Sequence, residues 1–208
     1  GGCDTPLIPV MAVQVSYLFG EGGLAVSQSQ AQRVSLSWPG GESLDPTPDE
    51  VLAVMALPYG GNWGPYQPVG EIEWFDPARP PTAGGRRERA AQLILIRHPE
   101  RGWYFEYDGP SGPGGSDEWL APLDPAGPPG HLRHWCWGEE QWFRAASFVP
   151  DVTARQVVAD FLASGRPSAA ITWAPQGDVG SRLYDDEYAE RFGPAPNAEP
   201  GAAADDGG

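Results

Sequence analysis

The chain has 208 residues, enough for one domain with appendages. Its 13 basic residues, all Arg, face 28 acidic ones, and the net charge of −15 argues against nucleic-acid and anionic-membrane partners and in favour of basic ones. Gly and Pro make up a quarter of the chain, so long loops or tails are expected beside a core supplied by 40% hydrophobic residues and nine Trp.

In chain order, residues 1–10 carry no periodic signal and are expected to be an N-terminal extension. Gly2-Cys3 has the form of a bacterial lipoprotein cleavage site, which would make Cys3 a membrane anchor. The simpler reading places the natural start at Met11. No run approaches the roughly eighteen apolar residues of a membrane helix. Val13, Val15 and Tyr17 alternate, which predicts a strand over 12–19. A second strand is predicted over Val34 to Trp38, followed by a Gly/Ser/Asp loop from Pro39 to Pro46. Thr47-Pro48-Asp49-Glu50 has the form of a capping box with Pro at the first helical position, so a helix is predicted over Pro48 to Leu57. A strand over Gly70 to Phe75 leads into a loop containing Arg86, Arg87 and Arg89.

Ala91 to Arg97 is a continuous apolar run, and His98 to Gly102 turns it back into Trp103 to Tyr107, the clearest hairpin in the chain. Trp103, Phe105 and Tyr107 share one face of the return strand, Tyr104 and Glu106 the other. Asp108 to Gly130 reads as one long connection, with Asp117, Glu118 and Trp119 in its middle; connections of such length in a compact domain tend to be functional or unstructured. His131 to Trp137 is the next strand, Gly138-Glu139-Glu140 its turn, and Gln141 to Ala145 the return.

Residues 148–173 carry the most concordant local signals. Thr153 reads as an N-cap with Gln156 at N3, and Val152 and Val157 read as a hydrophobic staple. Val157, Val158, Phe161 and Leu162 recur at helical spacing. Gly165 and Pro167 end the helix, and Ser168 to Ala174 follows as a strand. Ser181 to Phe192 is predicted as a short acidic helix with Tyr184, Tyr188 and Phe192 on one stripe. The remainder to Gly208 reads as a disordered tail.

The chain contains no GxGxxG, P-loop, HExxH or GxSxG pattern, and without Lys it can form neither a Schiff base nor a Walker lysine contact. The best metal candidate is His134 with Cys136 on one strand face, joined by His98, and this set falls short of a zinc ligand set. Adjacent acids such as Glu139-Glu140 and Asp117-Glu118 read as solvated charge, because acid/base catalysis needs surroundings that separate two pKa values. The expected class is therefore a soluble binding protein rather than an enzyme, with no cofactor and no metal. Its architecture is expected to be α+β, with a single antiparallel sheet of five to seven strands, the helix Ala154 to Ser164 covering one face and Pro48 to Leu57 packed nearby. The domain is expected to span 11–180, followed by an acidic helix and tail over 181–208.

A family resemblance rests on an ordered set of residues. Arg101-Gly102-Trp103-Tyr104-Phe105-Glu106-Tyr107 forms a glycine-led aromatic strand. Gln141-Trp142-Phe143, Phe148-Val149-Pro150, the following helix, Gly165-Arg166-Pro167 and a closing Trp173 come after it. In this order, over Leu93 to Trp173, the chain resembles immunity protein family 1 of bacterial polymorphic toxin systems; residues 1–60 match only loosely, and the loops at 76–89 and 109–130 are longer than the family pattern. The resemblance implies a cytoplasmic antidote, monomeric in a 1:1 complex, that binds a cognate toxin domain and silences it. Such a toxin is often a nucleic-acid deaminase, whose basic groove an acidic inhibitor would cover. Beside the resemblance, the residues suggest a contact surface of Tyr104 and Glu106 on the hairpin, Asp117, Glu118 and Trp119 in the long connection, and Glu139 and Glu140 in the turn. An envelope binding module anchored through Cys3 and an unfamiliar hydrolase built on converging histidines are the competing expectations.

Overall fold

A computed structural model describes residues 33–64, 68–79, 88–110, 116–179 and 182–193. Internal contacts divide the chain into units 1–30 and 31–208, and every described residue belongs to the second. The strand predicted over 12–19, Cys3 and the tail beyond Gly193 lie outside the described residues.

The fold is α+β. Seven strands form one antiparallel sheet in the order β2 (Gly41–Leu44), β1 (Val34–Trp38), β3 (Val69–Trp74), β4 (Ala91–His98), β5 (Gly102–Pro110), β6 (Asp117–Pro122) and β9 (Trp173–Pro175). β7 (His131–Cys136), β8 (Glu139–Arg144) and β10 (Arg182–Leu183) form a second sheet in the order β10-β8-β7. The helices are α1 (Pro48–Met55), α2 (Asp151–Ser164), α3 (Gln176–Val179) and α4 (Asp185–Phe192). The expectation of a single sheet is thus corrected, because the second sheet covers part of the face that α1 and α2 leave free.

Directly paired residues project to the same side of a sheet, so the registers assign the two faces. Leu36, Ile72, Leu93 and Tyr107 lie in one row, and Gly70, Leu95 and Phe105 in another. This face meets Val51 and Met55 of α1 and Ala154, Val157, Val158 and Phe161 of α2 in the main core. Trp63 closes the core, its ring edge-on to Trp103 at 5.0 Å and its indole N–H donated to the Val54 carbonyl at 2.9 Å. On the opposite face Ile94, Ile96, Tyr104 and Ala121 pack with Cys136 and Phe143 of the second sheet.

Local chemistry explains the helix ends. Thr47 and Glu50 form the predicted capping box at α1, with the Thr47 amide donating to Glu50 Oε2 at 2.7 Å and the Glu50 amide to Thr47 Oγ1 at 3.3 Å. Gly165 closes α2 in the left-handed region at φ 65°, and a Cβ there would come within 2.4 Å of the Trp74 ring. The start of α2 differs from expectation. It begins at Asp151 behind Pro150, which leaves Thr153 inside the first turn and Val152 77% exposed, so the staple does not form. Tertiary anchors set this start, since Asp151 Oδ1 accepts from the Trp103 indole at 2.7 Å and from Arg97 at 3.3 Å.

Three loop assignments also change. The predicted loop from Pro39 to Pro46 contains β2, which hairpins back onto β1. The long connection after Asp108 contains the end of β5 and all of β6, so Asp117, Glu118 and Trp119 are strand residues paired with Pro110, Gly109 and Asp108. Glu139 and Glu140 begin β8, and the turn before them is Trp137-Gly138. The strand predicted over Ser168 to Ala174 shrinks to β9, because Ser168 instead makes a turn, accepting the Ala170 amide at 3.0 Å on its hydroxyl and the Trp173 indole at 2.8 Å on its carbonyl.

Candidate functional site: an acidic sheet face and its aromatic cleft

The second sheet covers only part of its side of the large sheet. At the β2–β1–β3 end, Ser37 and Glu42 are exposed and Ser35, Glu71 and Glu73 are half-buried. Two rows of side chains cross this end. One contains Glu42, Ser37 and Glu71. The other runs Leu44, Ser35, Glu73, Gln92, Asp108 and Trp119 across six strands. Hydrogen bonds hold the second row in place: Ser35 donates to Glu73 at 2.9 Å and Gln92 to Glu71 at 3.1 Å, while Arg89 reaches both Gln92 and Asp108, the latter at 2.7 Å. Leu44 and Trp119, at opposite ends of the row, are exposed apolar groups.

A cleft of about 510 Å³ opens beside these rows, lined by Ser37, Trp38, Pro39, Val69, Glu71, Trp137 and Gly138. Its volume lies within the range of ligand-binding pockets. Trp38 borders the cleft at the end of β1, but its indole projects to the other side of the sheet, packs on the main core and lies against the β1–β2 turn, where a Cβ on Gly40 or Gly41 would come within 2.8 and 3.2 Å of it. Trp137 occupies the first position of the two-residue β7–β8 turn. Both turn residues have positive φ, 50° at Trp137 and 88° at Gly138, a conformation that favours Asn or Gly and is costly for a large side chain. Trp137 is nonetheless an indole 42% exposed, with the Arg182 guanidinium stacked on it at 4.6 Å.

Arg182 connects this wall to a buried polar cluster between the sheets. Its Nε donates to Glu106 Oε1 at 2.7 Å and its Nη1 to Gln141 Oε1 at 3.2 Å. Glu106 Oε1 also accepts from Gln176 at 2.7 Å and from the Tyr104 hydroxyl at 3.2 Å. Burial raises the Glu106 carboxyl above the usual range, while the Arg182 charge and the hydrogen bonds from Tyr104 and Arg182 pull it back. Cys136 donates to Gln141 at 3.2 Å, and burial pushes its thiol up to about 12, so it is held as a neutral thiol rather than a nucleophile.

The expected contact residues divide sharply. Tyr104 and Glu106 are corrected: at 0% and 1% exposure they lie beneath the second sheet and cannot touch a partner. Asp117, Glu118 and Trp119 are exposed on β6, but only Asp117 and Trp119 share the acidic face, and Glu118 projects to the other side. Glu139 and Glu140 are exposed next to the Trp137-Gly138 turn, Glu140 paired with Arg133 at 3.1 Å. Glu42, Glu71, Glu73 and Trp137 belong to this surface without any motif in the sequence to mark them. The alternation Glu71-Ile72-Glu73-Trp74 inside a predicted strand was the signal available for two of them.

The histidines do not gather around Cys136. His131 packs against Tyr188 and Phe192 of α4. His98 and His134 lie 4.9 Å apart, and His134 Nε2 donates to the Arg97 carbonyl at 2.9 Å, which fixes that tautomer. Burial and the neighbouring His98 push His134 down to about 4. Among the described residues no three His, Cys, Asp or Glu side chains come together as a metal site, and no helix is long and apolar enough to cross a membrane. In comparison with known proteins, the chain matches no protein-family model and no curated protein.

Proposed function

We propose that this chain is a binding protein that neutralises a basic protein partner, as an antidote of the immunity type in a polymorphic toxin system. The observation that carries this reading is the open end of the large sheet, where Glu42, Glu71, Glu73 and Asp108 line a rigid surface ending in exposed Leu44 and Trp119. Carboxylates held on a sheet steer a cationic partner and add little desolvation cost while they stay at the rim; the apolar groups supply the area that holds it. The net charge of −15 adds long-range attraction to any basic groove. A toxin that acts on nucleic acid presents such a groove, and a deaminase is the toxin class that the sequence resemblance favours. The complex would form in the cytoplasm, one antidote to one toxin domain, and would not require turnover by the antidote.

Co-expression with the C-terminal domain encoded by the adjacent gene tests the reading. The expected result is co-purification at equal stoichiometry, suppressed toxicity, and an association rate that falls steeply with added salt. Two folded proteins that neither bind nor protect would remove that neighbour as the target.

A further inference from the structure

The large sheet ends on two edges, and they are built differently. β9 is three residues long and closes with Pro175, which has no N–H to offer a further strand. β2 reads Gly41-Glu42-Ser43-Leu44. Beyond its shortness it carries none of the usual edge guards: no Pro, no Lys and no bulge, its residues pairing one to one with β1. Among the described residues no strand pairs with its outer side. The parity of the hairpin fixes which backbone groups face outward. The Asp45 amide donates to the Val34 carbonyl at 2.9 Å, and antiparallel bonding alternates along a strand, so Ser43 and Gly41 bond inward to Leu36 and Trp38. The N–H and C=O groups of Glu42 and Leu44 therefore point away from the sheet. Their side chains project to the open acidic face, Glu42 in the row of Ser37 and Glu71, and Leu44, 62% exposed, in the row of Ser35 and Glu73. One edge thus offers two backbone donors, two acceptors, a carboxylate and an apolar side chain at fixed spacing.

We propose that the outer edge of β2 pairs with an extended segment of the basic protein partner, which adds to the large sheet as an antiparallel strand with the order apolar, any residue, basic. In an antiparallel ladder the residue opposite Leu44 comes first in the incoming chain, and the residue opposite Glu42 follows two positions later. Both are hydrogen-bonded positions, where each incoming residue exchanges two backbone bonds with β2, and both side chains fall on the open face. The first covers Leu44; the second meets Glu42, with Glu71 further along the same row. The residue between them turns to the other face beside Ser43, which is half-buried. The edge is ordered before binding. Asp45, at φ 51°, ends β2, and its carboxylate accepts the Val34 amide at 3.1 Å, which ties the end of the hairpin to the start of β1. The ordering cost therefore falls mainly on the incoming segment. A second copy of this chain fits less well than a basic partner, since it brings another net charge of −15 and another Glu42 to the edge. The inference rests on the antidote reading for the identity of the partner, and on the edge alone for the mode of contact.

The test titrates the full chain with short acetylated, amidated peptides and follows the backbone amide resonances by NMR. The probe is Thr-Val-Thr-Arg-Thr. Its controls are Thr-Arg-Thr-Val-Thr and the probe N-methylated at both Val and Arg, which keeps the side chains and removes the N–H donors. The probe is expected to move the Glu42 and Leu44 amides downfield and slow their exchange with solvent, leaving the inward amides of Gly41 and Ser43 little changed. N-methylation should abolish these shifts, and the reversed order should bind several-fold more weakly. Glu42→Lys should weaken the probe about tenfold, by turning an opposite-charge cross-strand pair into a like-charge one. Leu44→Pro removes an outward N–H without costing the fold a hydrogen bond, so it should stay folded and lose the probe. Unmoved Glu42 and Leu44 amides at millimolar probe, binding that survives N-methylation, tighter binding of the reversed order, or protection centred on β7 or Trp119 would each overturn the edge. Concentration-dependent dimers in sedimentation, with the same amides protected, would overturn it in favour of self-pairing. If the adjacent toxin domain fails to bind while the peptides behave as expected, the antidote reading falls and the edge stands. If the toxin binds both variants as tightly as the parent, the antidote reading stands and the edge falls.

Discussion

Replacing Arg182 by Met should destabilise the protein more than replacing Glu106 by Gln, and by an amount that depends on pH. Glu106 is 1% exposed and the Arg182 side chain 17%, so the two partners of the ion pair differ in how easily water can rescue them. Arg182→Met leaves a buried carboxylate facing only the Tyr104 hydroxyl and the Gln176 amide, and loss of one partner of a buried pair costs about 3–5 kcal/mol. Glu106→Gln keeps an acceptor for both of those donors, and the arginine retains its Trp137 stack and some contact with water. Its cost is expected to be about 1–2 kcal/mol. The pH dependence follows from the direction of the Glu106 shift. A carboxyl raised above its ordinary 4.5 contributes stability that is fully present below that value and lost as pH rises through the folded-state value. Removing Arg182 removes a group that lowers this pKa, so the loss extends further. Urea denaturation of the parent and both variants at about pH 5 and pH 8 measures the difference, provided the slopes stay equal. The gap between parent and Arg182→Met should widen toward pH 8. A gap independent of pH, or a larger cost for Glu106→Gln, would refute the assignment of Glu106 as the group that depends on Arg182.

Two further expectations concern the core and the histidine pair. Phe161→Ala should cost about 3–5 kcal/mol in the same denaturation assay, since Phe161 is buried between α2 and the large sheet with the Tyr107 ring edge-on at 6.1 Å; a cost below about 1 kcal/mol would show that α2 is not a principal cover of that core. His134, pushed down from 6.5 to about 4 and held neutral against the Arg97 carbonyl, contributes stability that is present above 6.5 and lost as pH falls through 4, roughly 3 kcal/mol in all. His134→Gln should therefore flatten the stability profile between those values, and an unchanged acid limb would count against this titration.

Local signals accounted for much of the fold, and long-range pairing accounted for what they missed. The β4–β5 hairpin was legible because an apolar run, a turn and an aromatic return strand agree within about seventeen residues. The ends marked by Thr47 and Gly165 were legible because a side-chain cap and a left-handed glycine act within one helical turn. The start of α2 was misplaced because Asp151 answers to Trp103 and Arg97, far away in sequence. β6 was missed because its flanks are Gly- and Pro-rich and its partner, the extension of β5, itself ran past the predicted end. Glu106 reads from the sequence as a surface acid because an acid in a strand normally faces water. Only the second sheet and Arg182 reverse that expectation, and neither is encoded near it. The acidic face was half legible: Glu71 and Glu73 alternate visibly, but their alignment with Glu42 and Asp108 depends on strand order.

A buried ion pair is weak grounds for stability, because the desolvation of two charges offsets much of their attraction. The Glu106–Arg182 pair makes more sense as a fixture. Arg182 arrives on the two-residue strand β10, at the edge of the second sheet, with little hydrophobic anchoring beyond Leu183. Its bonds to Glu106 and Gln141 hold the guanidinium in one position, and that position is against the face of Trp137. Without such a support, an indole in a two-residue turn would sample several rotamers in water, and any partner would have to order it at a cost of roughly 0.5–1.5 kcal/mol. The carboxylate spent in the interior therefore serves the surface: it fixes the arginine, the arginine fixes the indole, and the indole stands beside the cleft that Ser37 and Glu71 also line. A core of the same volume filled with apolar side chains could be as stable, but it would leave the Trp137 wall unsupported.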